Sequence, residues 1–267
     1  MAAGTLILPL LGEMVPGGFS YGGNYLVEFE PDSPWYEASI TIAVHALRQG
    51  IKTEYHTFRH IPGEIRTALG RLGLDAAKKE QEGLFRILDT YTLTTGLGSP
   101  ESVSNGEVHF QTKSFDVEKW ASSILDLIKE GIADSEKRWL HLDDDTSVLN
   151  QYGDENTFID TWRTKGIPYA RARELIQFPS LLRGAVPESV YVKFESFADG
   201  IIDFKSREDK GEVKHYVRVR TIRGRVCDSH WKLLRIRDNG EVRLDRVPVN
   251  EQTLGLAGWL KGPRKTT

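Results

Sequence analysis

The chain has few features that would cross-link it, export it or place it in a membrane. It contains one cysteine, Cys227, in 267 residues, so no internal disulfide can form and a reducing compartment is expected. No apolar run reaches the roughly 20 residues of a membrane-spanning helix. The apolar run at residues 6–11 is too short for a secretory signal and lacks a basic flank. We predict a soluble, cytoplasmic protein with no membrane partner.

Net charge is also small, at −3, whereas hydrophobic residues make up 39% of the chain and aromatic residues 10%. This balance predicts a real core and neither general nucleic-acid affinity nor disorder. We expect one α/β domain at residues 16–246. A short segment at 1–15 packs on its sheet, and a tail at 247–267, apolar and then basic, is available to dock on a partner.

Strand-like and helix-like patterns alternate along the first third of the chain. Segments rich in β-formers alternate with segments whose apolar residues recur at helical spacing, and Gly or Pro marks the boundaries. The alternation predicts right-handed βαβ units and a parallel sheet. The strands are expected at 24–29, 52–58 and 84–88, and the helices at 34–49, 64–72 and 76–82.

Later elements are expected to end in an antiparallel set of strands. Asp238-Asn239-Gly240 is a strong turn signal for the final hairpin. The sequence further predicts a mobile loop at 96–108, helices at 117–132, 154–163 and 169–182 (with a break at Pro179), and strands at 138–142 and 190–194.

Three stretches resemble the KaiC-like branch of the RecA/RadA ATPases. The first runs from Gly17-Gly18 through an apolar strand to the glycine at position 50. The second is LGLDAAKKEQEGLFRILD at 72–89, and the third begins with ADGII at 198–202 and ends in VRTIRG at 219–224. The resemblance implies a RecA-like, mainly parallel twisted sheet flanked by helices, with antiparallel C-terminal strands, as in P-loop NTPases.

The residues that would grip a triphosphate in that family are replaced here. Counted back from the glycine at 50, the phosphate-loop positions fall on residues 29–36. Phe29 and Pro34 then stand in the two glycine positions, Trp35 in the lysine position and Tyr36 in the Ser/Thr position. A phosphate loop depends on converging backbone N–H groups and positive charge, so we predict a degenerate loop that binds neither ATP nor Mg²⁺.

Carboxylates surround the same loop. Glu28, Glu30, Asp32 and Glu37 place negative charge where phosphates would lie, and each like-charge contact costs on the order of 1 to 4 kcal/mol at a surface-like dielectric. These acids either form a site for a metal or a cationic partner, or simply complement the dipole of the following helix.

The catalytic positions implied by the resemblance are also altered. The glutamates at the end of the second strand correspond to Arg59 and His60, and arginine cannot act as a base at neutral pH. His60, like His56, is a candidate base or a structural histidine. Asp143, which begins the run Asp143-Asp144-Asp145, matches the family's Mg²⁺-carrying aspartate. It is a candidate metal ligand or part of an acidic turn.

Positive charge is concentrated in the C-terminal strands, where 13 Lys/Arg face 7 Asp/Glu between positions 205 and 246. In the resembling family, a lysine and an arginine of these strands reach the nucleotide of the neighbouring subunit; here Thr221 and Arg223 occupy those positions. The basic face is either an ordinary solvated surface, a nucleic-acid site or a self-association surface. The nucleic-acid candidates are Arg218, Arg220, Arg223 and Arg225, with Tyr216 and Trp231 for stacking.

Self-association would place Arg218, Arg220 or Arg223 of one copy against Glu28, Glu30 or Asp32 of the next. Taken together, the sequence predicts a non-catalytic pseudo-ATPase that regulates or scaffolds a partner, either in a homo-oligomer or with an active KaiC-like or RecA-like paralogue. The alternatives are a nucleic-acid-binding module on the basic strands, and a divergent nucleotide- or metal-dependent enzyme that uses Asp143, Asp144 and His60.

Overall fold

A computed structural model describes residues 4–92, 107–109, 138–151 and 155–245. The predicted helix at 117–132 and the tail at 247–267 lie outside the described residues, as does most of the predicted loop at 96–108. Within the described ranges, no helix is long and apolar enough to cross a membrane.

Thirteen strands occur in the described residues, and most of them belong to one twisted sheet. In chain order the strands are β1 Thr5–Leu6, β2 Phe19–Ser20, β3 Tyr25–Phe29, β4 Thr53–Thr57, β5 Phe85–Asp89, β6 Glu107–His109, β7 Leu140–Asp143, β8 Ile176–Phe178, β9 Ser180–Leu182, β10 Gly200–Asp209, β11 Glu212–Ile222, β12 Lys232–Ile236 and β13 Val242–Leu244. The central parallel strands β3, β4, β7 and β8 are short and fully buried, as expected for strands covered on both faces.

The sheet has a parallel half and an antiparallel extension. Strands run in the order β6-β5-β4-β7-β8 on one side and β9-β3-β10-β11-β12-β13 on the other. The two halves join because β8 and β9 follow one path broken at Pro179, and Gln177 donates its N–H to the carbonyl of Gly23 beside β3. Pairs from β6 to β10 are parallel and those from β10 to β13 are antiparallel. The predicted fold class is confirmed.

Helices cover both faces of this sheet. The first face packs against α1 and the N-terminal segment, whose Leu8, Leu11 and Met14 are fully buried in the same core. The second face packs against helices that follow β7, through Phe158 and Phe194. The helices are α1 Trp35–Arg48, α2 Pro62–Arg71, α3 Ala76–Gln81, α4 Glu155–Thr161, α5 Ile167–Ala172 and α6 Glu188–Phe197, with a 3₁₀ helix at Thr146–Gln151 and a π turn at Trp162–Gly166.

The predicted strand at 190–194 is wrong, because these residues lie inside α6. Val190, Tyr191 and Phe194 are buried on one side of that helix, whereas Val192 is 56% exposed. A strand would place Val190, Val192 and Phe194 on one face. Burial at helical spacing therefore overrides the β-propensity of VYVKF. The connection from β9 to β10 is thus this helix.

The predicted helix at 169–182 is also wrong in its second half. Helix α5 ends at Ala172, and Glu174 adopts a left-handed φ of 56°. The chain then continues extended as β8 and β9, between β7 and β3. Its IQFPSLL run is the near-continuous apolar pattern of a strand buried on both faces. Pro179, which has no N–H, marks the break between the two strands.

Candidate functional site

The loop after β3 leads to the carboxyl ends of β4 and β7, where the resemblance places a nucleotide. Glu30 donates its N–H to the carbonyl of Phe204, and Ser33 Oγ donates to the carbonyl of Glu30 at 2.7 Å. Pro34 takes the cap position of α1, which begins at Trp35. The side chain of Ser206 on β10 donates to the carbonyl of Asp32 at 2.7 Å. The loop is therefore tied to β10 through its own backbone.

Trp35, in the lysine position, points into the protein and is 1% exposed. Its indole Nε1–H donates to the backbone carbonyl of Asp143 at 3.2 Å, and its ring contacts Phe204 with centroids 5.2 Å apart. Ser180 Oγ donates to the same carbonyl at 3.1 Å. A buried aromatic side chain thus lies between the loop and the end of β7, and it carries no charge.

Tyr36 and His60 form a stacked pair at the mouth of the loop. Their ring centroids are 3.9 Å apart with an interplanar angle of 25°. Burial raises the pKa of the Tyr36 phenol well above its usual range and lowers the pKa of His60, although the neighbouring Glu64 carboxylate at 3.2 Å opposes the latter shift. His60 is thus a neutral, packed histidine at neutral pH, which favours the structural reading.

The run Asp143-Asp144-Asp145 does not converge on one point. Asp144 accepts hydrogen bonds from Thr57 Oγ1 at 2.8 Å and from the N–H groups of Phe58 at 2.6 Å and Arg59 at 3.3 Å. Asp145 accepts from the N–H of Ser147 at 3.1 Å. Two of the three carboxylates therefore stabilise loops. Asp143 has a different environment.

Asp143 belongs to a buried network of acids and histidines on the second face of β4 and β7. His141 Nε2 lies 2.9 Å from Asp143 Oδ1, and His141 Nδ1 lies 2.5 Å from Glu54 Oε1. His56 Nδ1 lies 3.5 Å from Asp143 Oδ1. Parallel register explains this contact, because Glu54 pairs with His141 and His56 with Asp143. Four ionisable side chains therefore meet inside the central strands, each at most 3% exposed.

The electrostatics of this network differ between its two histidines. Burial opposes protonation of His141, but the Asp143 and Glu54 carboxylates outweigh it and raise the pKa of His141 to about 10. Burial lowers the pKa of His56 to about 4 despite the nearby Asp143 carboxylate. Burial alone would raise the pKa of Glu54, but Arg86 and His141 lower it to about 2. In the absence of a further ligand, the neutral imidazole of His56 faces a row formed by the Asp143 carboxylate, the His141 imidazolium and the Glu54 carboxylate.

A second charged cluster lies on the same face further along the sheet, on β3, β10 and β11. Arg220 contacts the carboxylate of Glu28 at 2.6 Å and also those of Asp203 and Glu195. Arg218 contacts Asp203 through its Nε at 2.9 Å. These groups border a cavity of about 60 Å³. Two of the three arginines proposed to reach a neighbouring copy, Arg218 and Arg220, are therefore paired with acids of their own chain.

Lys205, also beside this cavity, is 4% exposed. Its Nζ lies 3.7 Å from the centroid of the Trp231 ring, and Arg218 lies over the same ring. Burial, reinforced by the Arg207 cation, lowers the pKa of Lys205 to about 8. Trp231 and Tyr216 are themselves only 7% and 6% exposed. Their ring faces contact cations of the same chain, Lys205 and Arg218.

Because the pKa of Lys205 is lowered in the folded protein, its contribution to the free energy of unfolding should increase as the pH rises. Above pH 8 the folded protein releases this proton, while the unfolded chain keeps it up to about 10.5. Stability from this group therefore rises between pH 8 and 10.5. Relative to Lys205→Met, the wild-type free energy of unfolding should increase by about 1 kcal/mol from pH 7 to pH 9. Urea denaturation of both proteins measures it, and a constant difference would contradict the assignment.

Three of the remaining predicted residues, Arg223, Arg225 and Glu30, also bind groups of the chain through their side chains. Arg223 donates to the carbonyl of Ser196 at 2.9 Å. Arg225 donates to the loop at 17–20 through the carbonyl of Gly18 at 3.0 Å and Ser20 Oγ at 2.7 Å. Glu30 is held by Arg207 at 2.5 and 2.9 Å. Asp32 has an exposed side chain. The structure therefore does not bring the four predicted arginines together as a free basic surface.

Glu54, His141 and Lys205 were not singled out from the sequence, although a signal for two of them existed. Ionisable residues occupy alternate positions in both central strands, TEYHT and LHLD. In a parallel strand covered on both faces, such alternation is unexpected. It marks one face on which ionisable groups need each other as partners.

Comparisons with known proteins identify the fold. No family model and no curated protein matches this chain. Among solved structures, the chain is similar to a KaiC-like protein from the hyperthermophilic archaeon Pyrococcus horikoshii OT3, with a TM-score of 0.66 and 18% sequence identity. The match covers 91% of this chain and 98% of that one. The chain therefore has a KaiC-like, RecA-type fold, and at this identity the likeness concerns the fold alone.

Proposed function

We propose that this chain is a non-catalytic protein of RecA-like fold, a pseudo-ATPase that acts by binding another protein. The observation that carries the proposal is the position of Trp35. Its indole occupies the interior at the end of β7 and hydrogen-bonds to the carbonyl of Asp143. A lysine in that position would place an ammonium group on a phosphate, whereas the indole offers no charge.

Further features of the loop support this proposal. Pro31 and Pro34 remove two backbone donors, and Glu28 and Glu30 add carboxylates that Arg183, Arg220 and Arg207 already neutralise. Binding of a triphosphate requires donors and positive charge that are free to face it. The nearby arginines form ion pairs with carboxylates of the same chain. Nucleotide binding by these arginines would therefore have to break ion pairs of the folded protein.

We infer a regulatory or scaffolding role because the chain has the fold but lacks the lysine and glycines with which a phosphate loop binds its ligand. The same intrachain pairs weigh against the nucleic-acid alternative, because Arg218 and Arg220 would have to leave buried carboxylates to reach phosphates. They also weigh against self-association through Arg220 and Glu28. We therefore propose a partner with a different surface, an active RecA-type paralogue being the first candidate.

We expect the full chain to bind neither Mg–ATP nor Mg–ADP at millimolar concentration and to release no phosphate above background. Isothermal titration and a phosphate-release assay measure this, with a RecA-type ATPase that has an intact phosphate loop as the positive control. A thermal shift serves as a cross-check, because nucleotide at 100 times its dissociation constant would add about 2.7 kcal/mol of stability. Saturable binding in the micromolar range would contradict the proposal.

The partner arm of the proposal needs its own measurement. When the purified chain is titrated into an active RecA-type ATPase from the same genome, we expect a stoichiometric change in ATPase rate or assembly size. Arg223→Glu, on the exposed surface, and Asp32→Lys, at the loop, should show which surface takes part. If analytical ultracentrifugation shows no complex and the ATPase rate does not change, the result argues against this partner.

A further inference from the structure

We propose that His56, His141 and Asp143 form a binding site for one divalent transition-metal ion of the Zn²⁺ class. The three side chains each offer a donor atom within 4.8 Å of the others, and all three are buried. Among the described residues, this is the group of His, Cys, Asp and Glu side chains whose geometry suits an ion. The site differs from a magnesium site shared with phosphates, because two of its three donors are imidazole nitrogens.

The distances fit a small ion. His141 Nε2 and His56 Nδ1 lie 2.9 and 3.5 Å from Asp143 Oδ1. Ligands at about 2.0–2.2 Å from a tetrahedral Zn²⁺ lie roughly 3.3–3.5 Å from one another. Both imidazoles therefore already lie close to this spacing from Asp143, and the three donor atoms all lie within 4.8 Å of one another. They lie on adjacent strands of the sheet interior, where the backbone holds the spacing.

Each imidazole also has the supporting contact that a metal ligand requires on its far nitrogen. His141 Nδ1 lies 2.5 Å from the Glu54 carboxylate, which is itself paired with Arg86. His56 Nε2 lies 2.7 Å from Thr90 Oγ1. If both far nitrogens carry protons, His141 Nε2 and His56 Nδ1 present lone pairs toward Asp143. Carboxylate and hydroxyl partners of this kind fix the tautomer and orientation of metal-bound histidines.

An unpartnered oxygen points to a ligand independently of the histidines. Asp143 Oδ2 has no hydrogen-bond partner among the described residues, although the residue is only 1% exposed. A buried carboxylate oxygen without a partner costs free energy. Coordination to a cation would remove that cost. Because two imidazoles complete the set, the preferred ion is a borderline metal such as Zn²⁺, and Mg²⁺, which prefers oxygen ligands, is disfavoured.

The test uses the full chain, dialysed against a chelator and then titrated with Zn²⁺ alone, with Mg²⁺ alone as the comparison. We expect one Zn²⁺ per chain, retained through gel filtration, and an increase in thermal stability that Mg²⁺ does not produce. Co²⁺ should give the intense visible bands of low coordination without a thiolate charge-transfer band, since the thiol of the single cysteine, Cys227, donates to the backbone carbonyl of Val219 far along the sheet. No stoichiometric Zn²⁺ binding by the wild-type chain would overturn the proposal.

Variants locate the ion. Asp143→Asn and His141→Gln are similar in size to the native residues and should abolish retention, whereas Glu54→Gln should weaken affinity about 10–100-fold, as loss of a supporting carboxylate does. His230→Gln is the matched control, because His230 is exposed and pairs with Asp228 at the surface. Circular dichroism of the metal-free variants checks folding. If Asp143→Asn and His141→Gln fold and still retain Zn²⁺, the ion lies elsewhere and this assignment is wrong.

Discussion

Replacing Trp35 by alanine should lower the free energy of unfolding by about 3–5 kcal/mol, as large-to-small changes at buried tryptophans do. The side chain is 1% exposed and packs on Phe204. Its removal leaves a cavity beneath the loop and leaves the Asp143 carbonyl with Ser180 Oγ as its remaining side-chain donor. The expected loss is large because packing and a buried hydrogen bond disappear together.

Urea denaturation of two further variants separates these contributions. Trp35→Phe keeps most of the ring but removes the N–H, so it should lose less than the alanine variant. Val226→Ala, at a position that is 90% exposed, should change stability by no more than about 0.5 kcal/mol. A loss below about 1 kcal/mol for Trp35→Ala would mean that the side chain does not fill the interior as described.

Replacing Arg220 by alanine should cost about 3 kcal/mol, the scale for removing one partner of a buried ion pair. Glu28 and Asp203 are 0% and 9% exposed at their side chains, and both depend on this guanidinium. Arg183 and Arg218 remain as secondary partners, which keeps the loss near the lower end of the range. The uncompensated carboxylates are the reason for the effect, more than the loss of the arginine itself.

A double-mutant comparison checks that reason. Glu28→Gln combined with Arg220→Met removes both charges and should recover part of the stability lost in Arg220→Ala. Arg223→Ala is the matched control, since Arg223 is exposed and makes a side-chain hydrogen bond to one carbonyl. Should Arg220→Ala and Arg223→Ala lose equally little stability in urea denaturation, the cluster contributes nothing to folding.

Much of the fold follows from local chemistry in the first ninety residues. There the apolar spacing, the glycines and the prolines all agree, so β3, α1, β4, α2, α3 and β5 lie within a few residues of their predicted positions. The Asp238-Asn239-Gly240 turn likewise closes the β12–β13 hairpin as expected, with Gly240 at a φ of 88°. In these segments local propensity and tertiary burial favour the same structure.

The sequence-based prediction failed where local propensity and tertiary burial favour different structures. IQFPSLL has no polar interruption that distinguishes a buried strand from a helix, and only its position between β7 and β3 decides the matter. VYVKF has strong β-propensity, yet the second face of the sheet requires a covering helix there. Neither outcome could be read from residues within the segment, because both depend on neighbours far along the chain.

The candidate site also has a part that the sequence singled out and a part that it did not. The proposed loss of phosphate binding rests on Pro34 and Trp35, whose chemistry differs from that of a phosphate loop, and it stays a prediction. The meeting of His56, His141 and Asp143 was not expected, because it requires the pairing of β4 with β7 in one particular register. A contact that spans 87 residues, as between His141 and Glu54, is invisible to spacing rules. The sequence showed only that both strands carry polar residues on alternate positions.

The most direct measurement is a crystal structure of the full chain grown with saturating Mg²⁺ and a non-hydrolysable ATP analogue. The account predicts no nucleotide at residues 29–36 and the Trp35 indole still donating to the carbonyl of Asp143. Triphosphate density over that loop, with the indole displaced, would contradict it.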